Sequence, residues 1–177
     1  MGSERHAYPW EGPTDDAITD DDDELVSGPT ATMVNSHDRT AYVRVQNHGL
    51  YVDEPPHLSH SFKTGGRGEA PSPFGYLITA GMACEVTSLE QMLHKSRVEK
   101  YEIDAEVTGY SFTEGNIKRV QRLDLRLTLT VAPADEPQAK RSLEVFEKGC
   151  IIGETLKRGI DFRVDRELRL DEDVGGE

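Results

Sequence analysis

The sequence predicts an α+β fold with antiparallel strand pairing and one long, buried helix. Two observations carry that expectation. First, segments 100–107 and 122–131 alternate strictly. Tyr101, Ile103, Ala105 and Val107 face one way, and Lys100, Glu102, Asp104 and Glu106 the other. Leu123, Leu125, Leu127, Leu129 and Val131 then oppose Arg122, Asp124, Arg126, Thr128 and Thr130. A period of two with one apolar side is a strand with one buried and one wet face. Second, residues 74–86 are apolar at most positions, which suits a helix buried on nearly all sides.

The remaining elements follow in order. Residues 1–28 are rich in Asp, Gly, Pro and Thr with no hydrophobic period, so an acidic, loosely attached or disordered N-terminal segment is expected. A domain over 29–170 follows, and then an acidic tail over 171–177. Met33 and Val34, then Ala41, Val43 and Val45, then Leu50 and Val52 indicate two or three short strands, with turns at 35–38 and 47–49. Residues 57–73 form a Gly- and Ser-rich loop. Ser72 is placed as the N-cap of the long helix and Pro73 in its first turn; the helix runs to about Lys95. Residues 113–116 join the two long strands as a hairpin. A helix over 136–148 buries Ala139, Leu143 and Phe146. A short helix after Cys150 stops at Gly159. A last strand over 160–168 places Ile160, Phe162 and Val164 against Asp161, Arg163 and Asp165. A helix apolar on every side cannot be covered by one sheet face, so a homodimer burying residues 74–86 is predicted.

Charge excludes several functions. The net charge is -13. Residues 1–35 hold nine acids and one base, -8, which leaves -5 for the rest. No basic footprint for nucleic acid exists. No apolar run reaches the roughly 18–20 residues that cross a bilayer, and the N-terminus lacks a signal-peptide pattern. A cytoplasmic protein with reduced thiols is expected. His57, His60 and His94 lack any metal-binding spacing with the cysteines, so no metal or other cofactor is expected. The run at 65–68 lacks the ending of a phosphate loop, and Asp20–Asp23 lacks calcium-loop spacing.

Two cysteines remain, Cys84 inside the apolar helix and Cys150 at the start of the short one. They read either as two buried small hydrophobes or as the two halves of a thiol redox centre. Several motifs bear on the choice. These are the stretch 43–55 ending in Asp53-Glu-Pro55, the loop ending Ala70-Pro-Ser-Pro73, the helix with Ala-Gly-Met-Ala-Cys84, and Lys148-Gly-Cys150 before a short helix. In order and spacing, over roughly residues 30–170, they resemble the OsmC/Ohr family of osmotically inducible and organic hydroperoxide resistance proteins.

The resemblance implies an intertwined homodimer with antiparallel sheets wrapped around a long buried central helix, and a thiol-dependent peroxidase whose substrates are small organic hydroperoxides and a dithiol reductant. Cys84 would attack the peroxide and form a sulfenate, and Cys150 would resolve it as a disulfide. A guanidinium beside Cys84 would favour the thiolate, which alone is nucleophilic. Arg67 is the nearest candidate, with Lys63 and Arg44 behind it. The chain departs from the family at the helix start, where Phe74 and Gly75 stand in place of an anchoring glutamate; Glu69 is the carboxylate nearest in sequence. Phe74-Gly75-Tyr76 also motivates an alternative, an OsmC-like dimer without peroxidase activity that binds an apolar small molecule.

Overall fold

A computed structural model describes residues 29–37, 40–46, 48–55, 66–115 and 117–174. The N-terminal segment, Lys63, His57 and His60, Asp20–Asp23 and the end of the acidic tail lie outside them. The described residues form two three-stranded sheets and three helices. The first sheet is β1 (Ala31–His37), β2 (Thr40–Val45) and β3 (His48–Val52), paired antiparallel in that order. It barely touches the other helices and strands of its own chain. Apolar side chains stay bare on it, with Met33 63% and Tyr51 61% exposed.

Helix α1 spans Pro73–Lys95. The Ser72 hydroxyl caps it by accepting from the Gly75 N–H at 3.1 Å, with Pro73 in the first turn, where a missing N–H leaves no partner unsatisfied. Its end closes on Arg97 in the left-handed region at φ 61, where the buried Val98 donates its N–H back to Leu93 O at 3.0 Å.

Strands β4 (Tyr101–Glu114) and β5 (Ile117–Val131) pair antiparallel over their full length. The alternation behaves as expected: Leu123, Leu125, Leu127, Leu129 and Val131 are all buried. A turn of 3-10 helix leads into α2 (Glu136–Val145), and a second such turn over Phe146–Gly149 leads into α3 (Ile151–Lys157). Ala139, Leu143 and Phe146 are buried, as their spacing predicts, although Phe146 sits just beyond α2. They join Leu89 and Leu93 of α1 and Leu127, Leu129 and Val131 of β5 in one core. A second cluster gathers Leu123, Leu125 and Phe162.

One expectation is corrected. Pairing is not antiparallel throughout, because β6 (Asp161–Leu170) runs parallel to β5, from Arg122↔Asp161 to Val131↔Leu170. The helices between them are the crossover that parallel neighbours require. The alternation of Ile160, Phe162 and Val164 reads the same in either strand direction, so sequence could not choose. Helix α1 is covered on one side only within one chain. Between positions 74 and 86 only Gly81 and Glu85 are buried, and Ala80 and Ala83 are exposed. One chain supplies a sheet and two helices to one side of α1 and leaves the other open.

Candidate functional site

The 3-10 turn and α3 lie across the middle of α1. This crossing brings the two cysteines together. Cys150 is the N-cap of α3, and its sulfur accepts the Gly153 N–H at 3.1 Å. It is 0% exposed, while Cys84 on α1 is half-buried. The Cys84 thiol is a near neighbour of the Cys150 thiol and helps keep the proton on it. No disulfide joins them.

A third group completes the cluster. Glu85, the residue after Cys84, is 0% exposed and turns its carboxyl into the same space. A Cβ on Gly153 would overlap Glu85 Oε1 and stand 2.9 Å from Cys150 Sγ. The carboxyl and the thiol therefore meet over a bare glycine. The Cys150 thiol is near enough to favour the charged carboxylate. Its direction makes no well-aligned bond, and both Glu85 oxygens lack a hydrogen-bond partner among the described residues. The shared contact with Gly153 establishes the proximity regardless of that alignment.

Burial governs the electrostatics. It pushes the Glu85 carboxyl from 4.5 up to about 7; the Cys150 thiol and Lys157 oppose the rise, and Glu147 and Glu154 assist it. Burial also pushes the Cys150 thiol up to about 12, helped by the neighbouring Cys84 and Glu85 and opposed by the Gly153 N–H. Cys150 is therefore a protonated thiol at neutral pH. The cation that acts on Glu85 is Lys157, which bridges Glu147 at 3.1 Å and Glu154 at 3.0 Å; Glu147 in turn pairs with Arg166 of β6 at 2.9 Å.

Arg67 is placed differently from a thiol partner. Its side chain is exposed, and its backbone N–H donates to Asp53 at 3.1 Å. Asp53 is a buried clamp just after β3. It also accepts from the Glu54 N–H at 2.8 Å and the Glu69 N–H at 3.0 Å. Burial opposes its charge, yet these three backbone donors outweigh it and hold the carboxyl below its ordinary 3.8. A Cβ on Gly66 would overlap Asp53 Oδ1, so the loop can close on the clamp only with glycine there. Asp53→Ala is expected to free this loop. Amide exchange at Arg67 and Glu69 should rise to that of open chain, and unchanged protection would count against the clamp.

Arg44 is exposed on β2, and Glu69 serves Asp53 through its backbone, while among the described residues no arginine pairs with its carboxylate. Phe74 does not face the thiols. It lies over Gly109 of β4, where a Cβ would come within 2.5 Å of its ring, and packs on the second core cluster. The Tyr76 hydroxyl donates to Tyr51 O at 2.6 Å, tying α1 to the first sheet. A depression of about 420 Å³ lies over Cys150, lined by Lys148, Ile151, Glu154 and Arg158 among others; one of about 360 Å³ on the outer face of the second sheet is far from the thiols. Among the described residues no cluster of His, Cys, Asp and Glu could hold a metal ion, and no helix is long and apolar enough to cross a membrane.

Residues 66–165 match the family model of the OsmC-like proteins. This chain belongs to the OsmC-like family. The match spans the Asp53-clamped loop, α1, both cysteines and most of the second sheet, so the thiol cluster of this OsmC-like chain lies wholly inside it.

Solved structures agree on the fold. An OsmC-like protein from Mycoplasma pneumoniae is similar at 17% identity with a TM-score of 0.65, covering 82% of this chain and 99% of that one. An organic hydroperoxide resistance protein from Legionella pneumophila is similar at 16% identity and a TM-score of 0.58, covering 81% and 99%. Another, from Elizabethkingia anophelis, has 15% identity and a TM-score of 0.60, covering 82% and 99%. No curated protein matches the chain.

Sequence reasoning overlooked Glu85 and Gly153, and it met Asp53 as part of a motif without its clamping role. Glu85 carried a readable signal. It lies at helical spacing between the buried Gly81 and Leu89, a lone acid on an apolar stripe. Gly153→Ala tests the cluster's tightness. Alanine favours a helix by about 1 kcal/mol, but crowding the carboxyl and sulfur costs about 1–3 kcal/mol. A net loss of stability in urea unfolding is expected, and a stabilised variant would show that the cluster has slack.

Proposed function

We propose that this OsmC-like protein is a thiol-dependent peroxidase that reduces small organic hydroperoxides, with Cys84 as the nucleophile and Cys150 as the resolving thiol. One observation carries the reading: two thiols far apart in sequence, one half-open and one sealed, stand within reach of each other. A structural pair of inert cysteines needs no such asymmetry. The Cys84 thiolate attacks the outer peroxide oxygen, the O–O bond breaks, and the alcohol leaves with a proton. Cys84 then carries a sulfenic acid. Cys150 displaces its hydroxyl as water and a disulfide forms, which an external dithiol reduces.

Arg67 is the cation proposed to favour the Cys84 thiolate, from the loop that Asp53 holds at the start of α1. In this reading a second copy of the chain closes the site. The bare side of α1 and the exposed Met33 and Tyr51 of the first sheet support a homodimer. Light scattering at micromolar concentration should give twice the chain mass, and a monomer would remove that support.

The deciding experiment follows cumene hydroperoxide consumption with dithiothreitol as reductant. Cys84→Ser is expected to abolish it, and Arg67→Ala to slow it by about tenfold, the effect of roughly 1.4 kcal/mol on the thiolate. Equal rates for wild type and Cys84→Ser would end the peroxidase reading. Phe74 and Tyr76 are occupied in packing and tethering, so nothing in the structure favours the apolar-ligand alternative over it.

A further inference from the structure

The resolving step poses a problem that the peroxidase reading leaves open. Only a thiolate attacks a sulfenic sulfur, and Cys150 is a sealed thiol held well on the protonated side at neutral pH. Solvent cannot reach it to take the proton. The group that can is already against it. The Glu85 carboxyl and the Cys150 sulfur touch the same bare Gly153, and neither carboxyl oxygen has a hydrogen-bond partner among the described residues. A fully buried, unpartnered carboxylate is costly to keep for packing alone.

The surroundings are accounted for. Toward Glu85, the 3-10 turn presents Glu147 and α3 presents Glu154 and Lys157, and these three pair among themselves. Arg166 of β6 reaches the group only through Glu147. The acids of β4 at 102, 104 and 106 lie on the side of the strand opposite its partly buried residues. Lys157 thus influences Glu85 from a distance while remaining engaged with its own two partners.

We infer that Glu85 is the proton acceptor for Cys150 when the disulfide between Cys84 and Cys150 forms. The Cys150 S–H proton passes to the carboxylate, and the new thiolate attacks the Cys84 sulfur. The S–S bond forms as the S–O bond breaks, and the departing hydroxide takes up a proton and leaves as water. The proton on Glu85 is then given up, which restores the carboxylate. The hydroperoxide consumed in the preceding step is the oxidant. An acceptor that changes charge near neutrality is matched to this task, because it is ionised often enough to accept and protonated often enough to return the proton.

The inference rests on the peroxidase reading for the source of oxidised Cys84, but its test does not. Fully reduced protein is mixed with dithionitrobenzoate, which labels the half-exposed Cys84 and releases one thionitrobenzoate. Cys150 then displaces the second, with the same loss of its proton. In wild type the second release should rise with pH and level off above about 7. In Glu85→Gln it should be about 100-fold slower, the usual worth of a positioned base, and lose the inflection. Glu85→Asp, which keeps a carboxylate, should restore the inflection. A Glu85→Gln protein that releases the second group at the wild-type rate with the wild-type pH profile overturns the inference. If hydroperoxide is not consumed while the second release still depends on Glu85, the peroxidase reading falls and the acceptor role stands.

Discussion

Replacing Phe146 with alanine is expected to cost the domain about 3–5 kcal/mol, the usual range for emptying a fully buried aromatic site. Phe146 is 0% exposed and packs with Leu89, Leu93, Leu129 and Val131. Its ring has the Arg166 guanidinium 5.9 Å above it, and Arg166 also donates to Leu143 O and pairs with Glu147. The segment from 146 to Cys150 has little other anchorage in the core. Truncation should therefore loosen the turn that delivers Cys150 as well as lower stability. Two measurements check this. The midpoint of urea unfolding should fall at unchanged slope, and alkylation of Cys150 in native buffer should become faster. A loss of stability with Cys150 still sealed would show that α3, not Phe146, holds the thiol in place.

Replacing Glu85 with glutamine should give the largest pH-dependent change in stability. The folded carboxyl, raised by burial from 4.5 to about 7, keeps its proton more firmly than the unfolded chain does. Below the unfolded value both states are protonated and the group costs nothing. Between the two values the unfolded chain ionises first, so stability falls as pH rises. Above about 7 the cost levels off at about 3 kcal/mol, from about 1.4 kcal/mol per pH unit. Glutamine carries no titrating proton and lacks this decline. Relative to wild type, Glu85→Gln should gain about 2–3 kcal/mol in unfolding free energy between about pH 5 and pH 8, at one fixed protein concentration. Parallel pH profiles for the two proteins would mean that the carboxyl is hydrated in solution. With the expected gain, neutralising this one residue both slows resolution and raises stability, a trade expected of functional groups held in unfavourable surroundings.

Legibility in the sequence followed the range of the interactions. Ser72 and Pro73 announced the start of α1 because capping is settled by neighbours a few positions away. The leucines of β5 announced their buried face because strand alternation is local. The order of motifs around Cys84 and Cys150 identified the family. Direction was lost where symmetry hides it: β6 shows the same alternation whether it runs with β5 or against it. Phe74 could be seen to replace an acid, yet its place over Gly109 depended on a strand far along the chain.

The sequence by itself determined the α+β elements, the capped apolar helix, the two candidate thiols and the family. The elements, the helix and the thiols follow from short-range periodicity and residue chemistry, and the family from the resemblance of its ordered motifs. Only the tertiary structure decided that Cys150 is sealed while Cys84 is half-open, that Arg67 gives its backbone to Asp53, and that Glu85 stands against the Cys150 sulfur. Each depends on helices crossing at a bare glycine or a loop closing on a buried carboxylate. Burial there sets which groups keep their protons, and burial is a property of the packed chain rather than of any residue in it.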